Sequence, residues 1–122
     1  MKIFLFISTL IYSIFSQAAE LSITTKTEVS HLLSYLENSG CQFNRNGSWY
    51  TPDEAAAHIK KKYDYLLKKD MLTTTESFIE NAATKSSMSG QAYEVKCDGK
   101  TAILSSIWFT AELQKYRKSN SK

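Results

Sequence analysis

The sequence predicts a small single α+β domain: about four helices beside a three- or four-stranded antiparallel sheet, tied by one disulfide. Three observations lead there. Apolar residues repeat at period 3.6 in some stretches and at period 2 in others, without the regular strand–helix–strand order of a parallel sheet. Asn46-Gly47 is a strong two-residue hairpin signal, because a type I′ turn needs positive φ at both central residues. Cys41 and Cys97 are the only two cysteines, and they follow an N-terminal pattern of the kind that directs export.

That pattern begins with Lys2, followed by the apolar run Ile3 to Phe15 and the small-x-small signal Ser16-Gln17-Ala18. The expectation is a signal peptide over 1–18, with cleavage after Ala18 or Ala19, a domain over 19–118 and a flexible polar tail over 119–122. The run is short for a bilayer span, so no membrane span is expected after cleavage. No cysteine follows the small residues, which disfavours a lipoprotein. The expected address is periplasmic.

The first helix is expected after Leu21 to Ile23. Thr25-Lys26-Thr27-Glu28 has the form of a capping box. Val29, Leu32, Leu33 and Leu36 make its buried stripe, His31 lies opposite as a surface residue, and Gly40 ends the helix. The hairpin then runs from Cys41 to Tyr50. A two-residue turn sets Arg45 against Ser48, Asn44 against Trp49 and Phe43 against Tyr50. Alternation puts Cys41, Phe43 and Arg45 on one face and Trp49 on the other. A hairpin covered on both faces is the favoured reading over an exposed Trp49.

Thr51-Pro52-Asp53-Glu54 starts the second helix: a hydroxyl cap, Pro at the first helical position, and two acids at the positive end of the dipole. Ala55, Ala56, Ile59, Tyr63, Leu66 and Leu67 face the core. Glu54, His58, Lys62 and Tyr65 run along one flank of that stripe. Thr73-Thr74-Thr75-Glu76 suggests a capping box for a short third helix whose apolar side is Phe78, Ile79, Ala82 and Ala83. Residues 84–90 read as a hydroxyl-rich loop. Tyr93, Val95 and Cys97 alternate with Glu94 and Lys96 as a strand, Asp98-Gly99 is a second turn signal, and 100–104 is a short return strand. Ser105 or Ser106 is expected to cap a last helix carrying Trp108, Phe109, Leu113 and Tyr116.

In an oxidising compartment two cysteines read as one disulfide, Cys41–Cys97. Chain-entropy reasoning for so long a loop gives roughly 4 kcal/mol of stabilisation.

Charge excludes one class of function. The chain carries +3 formally, and loss of Lys2 leaves +2. Lys60-Lys61-Lys62 and Lys68-Lys69 spread around a helix as a solvated face, so no nucleic-acid partner is expected. No cofactor is expected either, nor a metal: two histidines and no CxxC are too few for a zinc site. Glu54 and His58, four apart, suit acid–base work, but local helix stabilisation explains them more simply. Ser86, Ser87 and Ser89 offer nucleophiles, yet the G-x-S-x-G elbow is missing. The residues that suit a ligand are Arg45 for a carboxylate, Trp49 and Tyr93 for a sugar face, and Glu54, His58, Ser87 and Ser89 for polar contacts. Arg45 otherwise suits an ion pair with Glu54 or another acid.

Taken together, Ser39-Gly40-Cys41, Phe43, Arg45-Asn46-Gly47, Trp49-Tyr50, Glu54-Ala55, His58, Phe78-Ile79, Ala82-Ala83, Ser86-Ser87, Ser89-Gly90, Tyr93, Val95, Cys97, Gly99, Trp108 and Tyr116-Arg117 resemble the YfeK-like family of small exported bacterial proteins. Phe109 stands where that family would have a leucine. The resemblance implies a periplasmic address and brings no catalytic residues. The function expected is a monomeric, non-enzymatic module that binds an unknown envelope component or a protein partner. The alternative is a small hydrolase using His58 with Ser87 or Glu54.

Overall fold

A computed structural model describes residues 10–11 and 20–121; the expected signal peptide lies almost wholly outside the described residues. The elements in order are α1 (Ile23–Glu37), β1 (Gln42–Arg45), β2 (Ser48–Tyr50), α2 (Pro52–Lys68), α3 (Thr75–Ala82), β3 (Glu94–Lys96), β4 (Ile103–Leu104) and α4 (Ser105–Asn120). The four strands form one antiparallel sheet in the order β2-β1-β3-β4. This is the expected α+β architecture.

The hairpin has the register its turn dictates: Phe43 opposite Tyr50, Asn44 opposite Trp49, Arg45 opposite Ser48. Asn46 and Gly47 take φ of 53° and 82°, as a type I′ turn requires. Phe43 and Val95 pair on the buried face of the sheet. The opposite face carries Gln42, Trp49, Lys96 and Leu104, all exposed. Coverage of the hairpin on both faces, the favoured expectation, is therefore not found: Trp49 is 43% exposed.

Cys41 and Cys97 form a disulfide. They lie one step beyond the paired residues Gln42 and Lys96, so the bond joins neighbouring strands through the sheet.

Helix starts differ from expectation in instructive ways. Ser22, not Thr25, caps α1, accepting a bond from Thr25 N at 3.1 Å. Thr25 and Glu28 are thereby turned inward and buried. Thr51 caps α2 as expected, with Pro52 first in the helix. The capping box of α3 is Thr74 with Ser77, one residue later than the Thr73–Glu76 pair. Neither Ser105 nor Ser106 caps α4, because β4 runs directly into it from Leu104. Ser105 N instead donates to Tyr93 O at 2.9 Å, and the Ser105 hydroxyl is buried without a partner. The last helix also continues to Asn120, into the expected tail. Gly40 takes φ 69° two residues after the α1 cap Asn38, where it turns the chain into β1.

Glu28 holds three helices together. Its Oε1 accepts from the Thr75 hydroxyl at 2.6 Å and from Arg117 Nη2 at 3.0 Å, and its Oε2 accepts from Arg117 Nε at 2.8 Å. Arg117 also reaches Glu76. His31 is not a surface residue facing water: its Nε2 lies 2.9 Å from the Glu112 carboxylate and its ring stacks on Tyr116 at 3.9 Å. His31 thus meets α4 on one side while 32% of its side chain stays exposed.

Two predictions follow from these ties. Cys41→Ala and Cys97→Ala should destabilise equally, by up to roughly 4 kcal/mol, and the double variant should be little worse, as measured by denaturant melts; two alkylatable thiols in protein purified without reductant would refute the bond. The second concerns Glu28, whose pKa is lowered chiefly by its hydrogen bonds from Arg117. Its contribution is complete above the ordinary carboxylate pKa and is lost as pH falls through the lowered value. Glu28→Ala should cost about 1–3 kcal/mol at neutral pH, discounted toward the lower end because Arg117 is half in water. Arg117→Ala should cost more, since it strands a buried carboxylate, and the gap between the two variants should close in acid as Glu28 takes a proton.

Candidate functional site

The hairpin leads straight into α2 through Thr51, so the first turns of α2 sit against the core side of β1. Alternation along β1 places Arg45 on the same face as Phe43. On α2, Ala55 and Ile59 enter the core, and His58 and Lys62 follow along the flank toward Arg45 and Tyr93.

Arg45 Nη1 lies 2.6 Å from His58 Nδ1 and 3.1 Å from Nε2. Its Nη2 is 3.4 Å from the Tyr50 hydroxyl, and the guanidinium carbon stands 4.9 Å from the centre of the Tyr50 ring. His58 Nε2 meets the Tyr93 hydroxyl at 3.2 Å. Lys62 Nζ donates to the same hydroxyl at 3.2 Å and to Lys85 O at 2.9 Å. Tyr93 itself is buried against Phe43, ring centres 5.0 Å apart.

Donors outnumber acceptors in this cluster. Arginine and lysine side chains only donate. Nδ1, the nearer of the two ring nitrogens, can receive Arg45 only as a bare acceptor, which makes His58 neutral. Nε2 lies between Arg45 Nη1 and the Tyr93 hydroxyl, whose oxygen already receives Lys62, so no single tautomer satisfies every contact. No carboxylate among the described residues pairs with Arg45, His58 or Lys62. The pKa of His58 is pushed down by burial first, then by Arg45, Lys62 and Lys61. Lys62 is pushed down by burial and by Arg45. Burial raises that of Tyr93, against an opposing pull from Arg45.

The cluster opens on two depressions that share His58 and Lys61. The first, of about 590 Å³, is walled by Phe43, Arg45, Tyr50, Glu54, Ala55 and Ala57. The second, of about 530 Å³, is walled by Lys62, Tyr65, Leu66, Met71, Asn81 and Ser87.

Of the residues singled out from sequence, Arg45, Glu54, His58 and Tyr93 converge here, and Ser87 borders the second depression. Trp49 does not join them: it projects from the opposite face of the hairpin, because its neighbour Tyr50 takes the inward position. Ser89 is engaged elsewhere. Its hydroxyl donates to Asn46 Oδ1, and Ser86 Oγ receives Asn46 Nδ2, Met88 N and Ser89 N. The serine loop thus clasps the hairpin turn. Glu54 does not pair with His58 or Arg45; its Oε1 accepts from the Thr51 hydroxyl at 3.1 Å at the helix start. His58 bonds neither Ser87 nor Glu54, so the nucleophile–base contact of a hydrolase is not formed. Sequence reasoning missed Tyr50, Lys61 and Lys62 as site residues. The register that set Tyr50 on the Arg45 face was the signal for the first. The spacing of Lys62, four residues after His58 on one flank of α2, was the signal for Lys62, and no local pattern marked Lys61. Among the described residues no three His, Cys, Asp or Glu side chains gather for a metal, and no helix is long and apolar enough to cross a membrane.

Residues 23–117 match the model of a family of unknown function, DUF5329. No curated protein and no solved structure matches the chain.

Titration of the His58 ring by NMR should give a pKa below the ordinary value of about 6.5. A lowered pKa means that the native state resists protonation. Stability should therefore fall as pH drops from about 6.5 through the His58 value. Arg45→Gln should move the His58 pKa upward but leave it depressed, because burial is its largest cause. A His58 that titrates at or above the ordinary value would contradict the cluster as described.

Proposed function

We propose that this chain, which belongs to DUF5329, a family of unknown function, is an exported, non-enzymatic module that binds an acidic component of the cell envelope. One observation carries the reading. Arg45, Lys62 and Lys61 surround a half-buried neutral histidine with no carboxylate paired to them. Arg45 and Lys62 are partly buried and Lys61 is exposed beside them, and cations gathered in this way repel one another unless an anion joins them. An oxyanion entering the first depression would give Arg45 the bidentate acceptor its guanidinium lacks. The cost of gathering donors without acceptors is then offset on binding rather than within the fold.

The periplasmic address rests on Lys2, the apolar run, Ser16-Gln17-Ala18, and a disulfide, a bond that persists in oxidising compartments. The narrower resemblance to the YfeK-like proteins supports the same address. A hydrolase is disfavoured because His58 faces a guanidinium and a phenol, neither of them a nucleophile it can activate here.

Protein recovered from the periplasm should begin at Ala19 or Glu20. Small organic acids should raise its melting temperature and their uncharged counterparts should not, and Arg45→Gln should abolish the effect. Retention of Met1, or equal stabilisation of the Arg45→Gln variant, would count against the proposal.

A further inference from the structure

The serine loop grips the hairpin turn by the Asn46 side chain. A type I′ turn does not require that grip, because an Asn-Gly pair accepts positive φ on its own. We infer that Asn46 is a site of spontaneous deamidation and that the serine loop holds the reaction off. Asn46-Gly47 is the one Asn-Gly step in the chain. Glycine has no Cβ, so its amide nitrogen approaches the preceding carboxamide with little hindrance. Both residues are exposed, so water and hydroxide reach them and burial gives no protection.

In this reaction the Gly47 nitrogen loses its proton to solvent and bonds to Asn46 Cγ. The bond from Cγ to Nδ2 breaks, and Nδ2 takes a proton from water and leaves as ammonia. Water then opens the succinimide at one of its two carbonyls, leaving aspartate or isoaspartate. One water is consumed and one ammonia released, with no oxidant or reductant. Each group that has to move is held in the folded protein. Asn46 Nδ2 donates to Ser86 Oγ at 3.3 Å, and Asn46 Oδ1 accepts from the Ser89 hydroxyl. The attacking Gly47 N–H is engaged as well, donating to Asn44 Oδ1 at 3.1 Å. The gripping loop is itself closed: Ser86 N donates to Gln91 O at 2.9 Å, Gly90 N donates to Ser86 O at 3.0 Å, and Lys85 bridges to Ala92. Ser86 is buried, and its hydroxyl also receives Met88 N and Ser89 N. The hydroxyls of Ser86 and Ser89 thus immobilise the carboxamide without acting as nucleophiles. Isoaspartate would lengthen the main chain inside a two-residue turn and so disturb the register that sets Arg45 against His58.

The test incubates the mature protein in mildly alkaline buffer and follows Asn46 by peptide mass spectrometry. The same chain unfolded in urea sets the unprotected rate. Folded wild type should react far more slowly than the unfolded chain. Ser89→Ala should speed the folded protein roughly threefold or more, as the loss of one hydrogen bond allows. Glu28→Ala is the control, because it weakens the fold from between α1 and α4 and leaves the grip on Asn46 in place. Its rate should match wild type, and amide dispersion reports that each variant is folded. Wild type reacting as fast as the unfolded chain would overturn the inference, as would a Ser89→Ala rate equal to wild type. Equal acceleration by Glu28→Ala and Ser89→Ala would also overturn it, since general stability rather than the serine loop would then protect Asn46.

Discussion

The register of the Asn46-Gly47 hairpin is the constraint on which the rest of this structure depends. Side chains alternate along a strand, so a slip of one residue would exchange the two faces of the sheet. Phe43 would leave the core and Trp49 would enter it. Arg45 would turn away from His58. The disulfide would also be lost, because Cys41 meets Cys97 only while Gln42 stays opposite Lys96. Several features hold the register in place. The turn residues accept positive φ, the serine loop binds both ends of the Asn46 amide, and the disulfide closes the far end of the β1–β3 ladder. The fold and the candidate site thus share one cause.

Glu28 shows how a correct local rule is overruled. Thr25 and Glu28 have the spacing of a capping box, and in isolation that is a sound reading. Ser22 begins the helix one turn earlier, and the two residues become interior. Their positions then continue the stripe of Leu32 and Leu36 at helical spacing. A carboxylate on such a stripe demands a cation and further donors. Arg117 and Thr75 supply them from segments 89 and 47 residues away in the chain. The helical spacing of Leu32 and Leu36 runs back through Glu28, but the capping-box form drew that residue to the helix start instead. Its partners were not legible, because helix packing rather than local pattern brings them near. His31 is a parallel case, assigned to water by the same stripe and found against Glu112 and Tyr116 of α4.

The site divides along the same line. Turn chemistry and strand alternation placed Arg45 and Phe43 on one face and Trp49 on the other. Helical spacing placed His58 and Lys62 on one flank of α2. What the sequence concealed was which of these meet. Glu54 and His58 are four apart, yet Glu54 closes the helix start with Thr51 while His58 turns to the hairpin. Trp49 looked like a recognition residue because it is aromatic. Tyr50, less conspicuous, is the ring that Arg45 faces.

The depressed titration of His58 and the absence, among the described residues, of a carboxylate paired with Arg45 have a common origin. Were a native acid seated beside Arg45, it would hold His58 more readily in the charged form and fill the place of any ligand. Without it, the neutral imidazole serves as the acceptor for Arg45, and an imidazole nitrogen is a weaker partner for a guanidinium than an oxyanion. An arriving carboxylate therefore competes with a neutral ring rather than with a buried ion pair, whose disruption costs several kcal/mol. When the ring is displaced, its nitrogen is free to take a proton, and an anion beside it favours that charge. Binding and proton uptake at His58 then reinforce each other, so affinity should rise as pH falls toward the value at which His58 titrates. A fold that satisfied these donors internally would be more stable and would have no reason to bind.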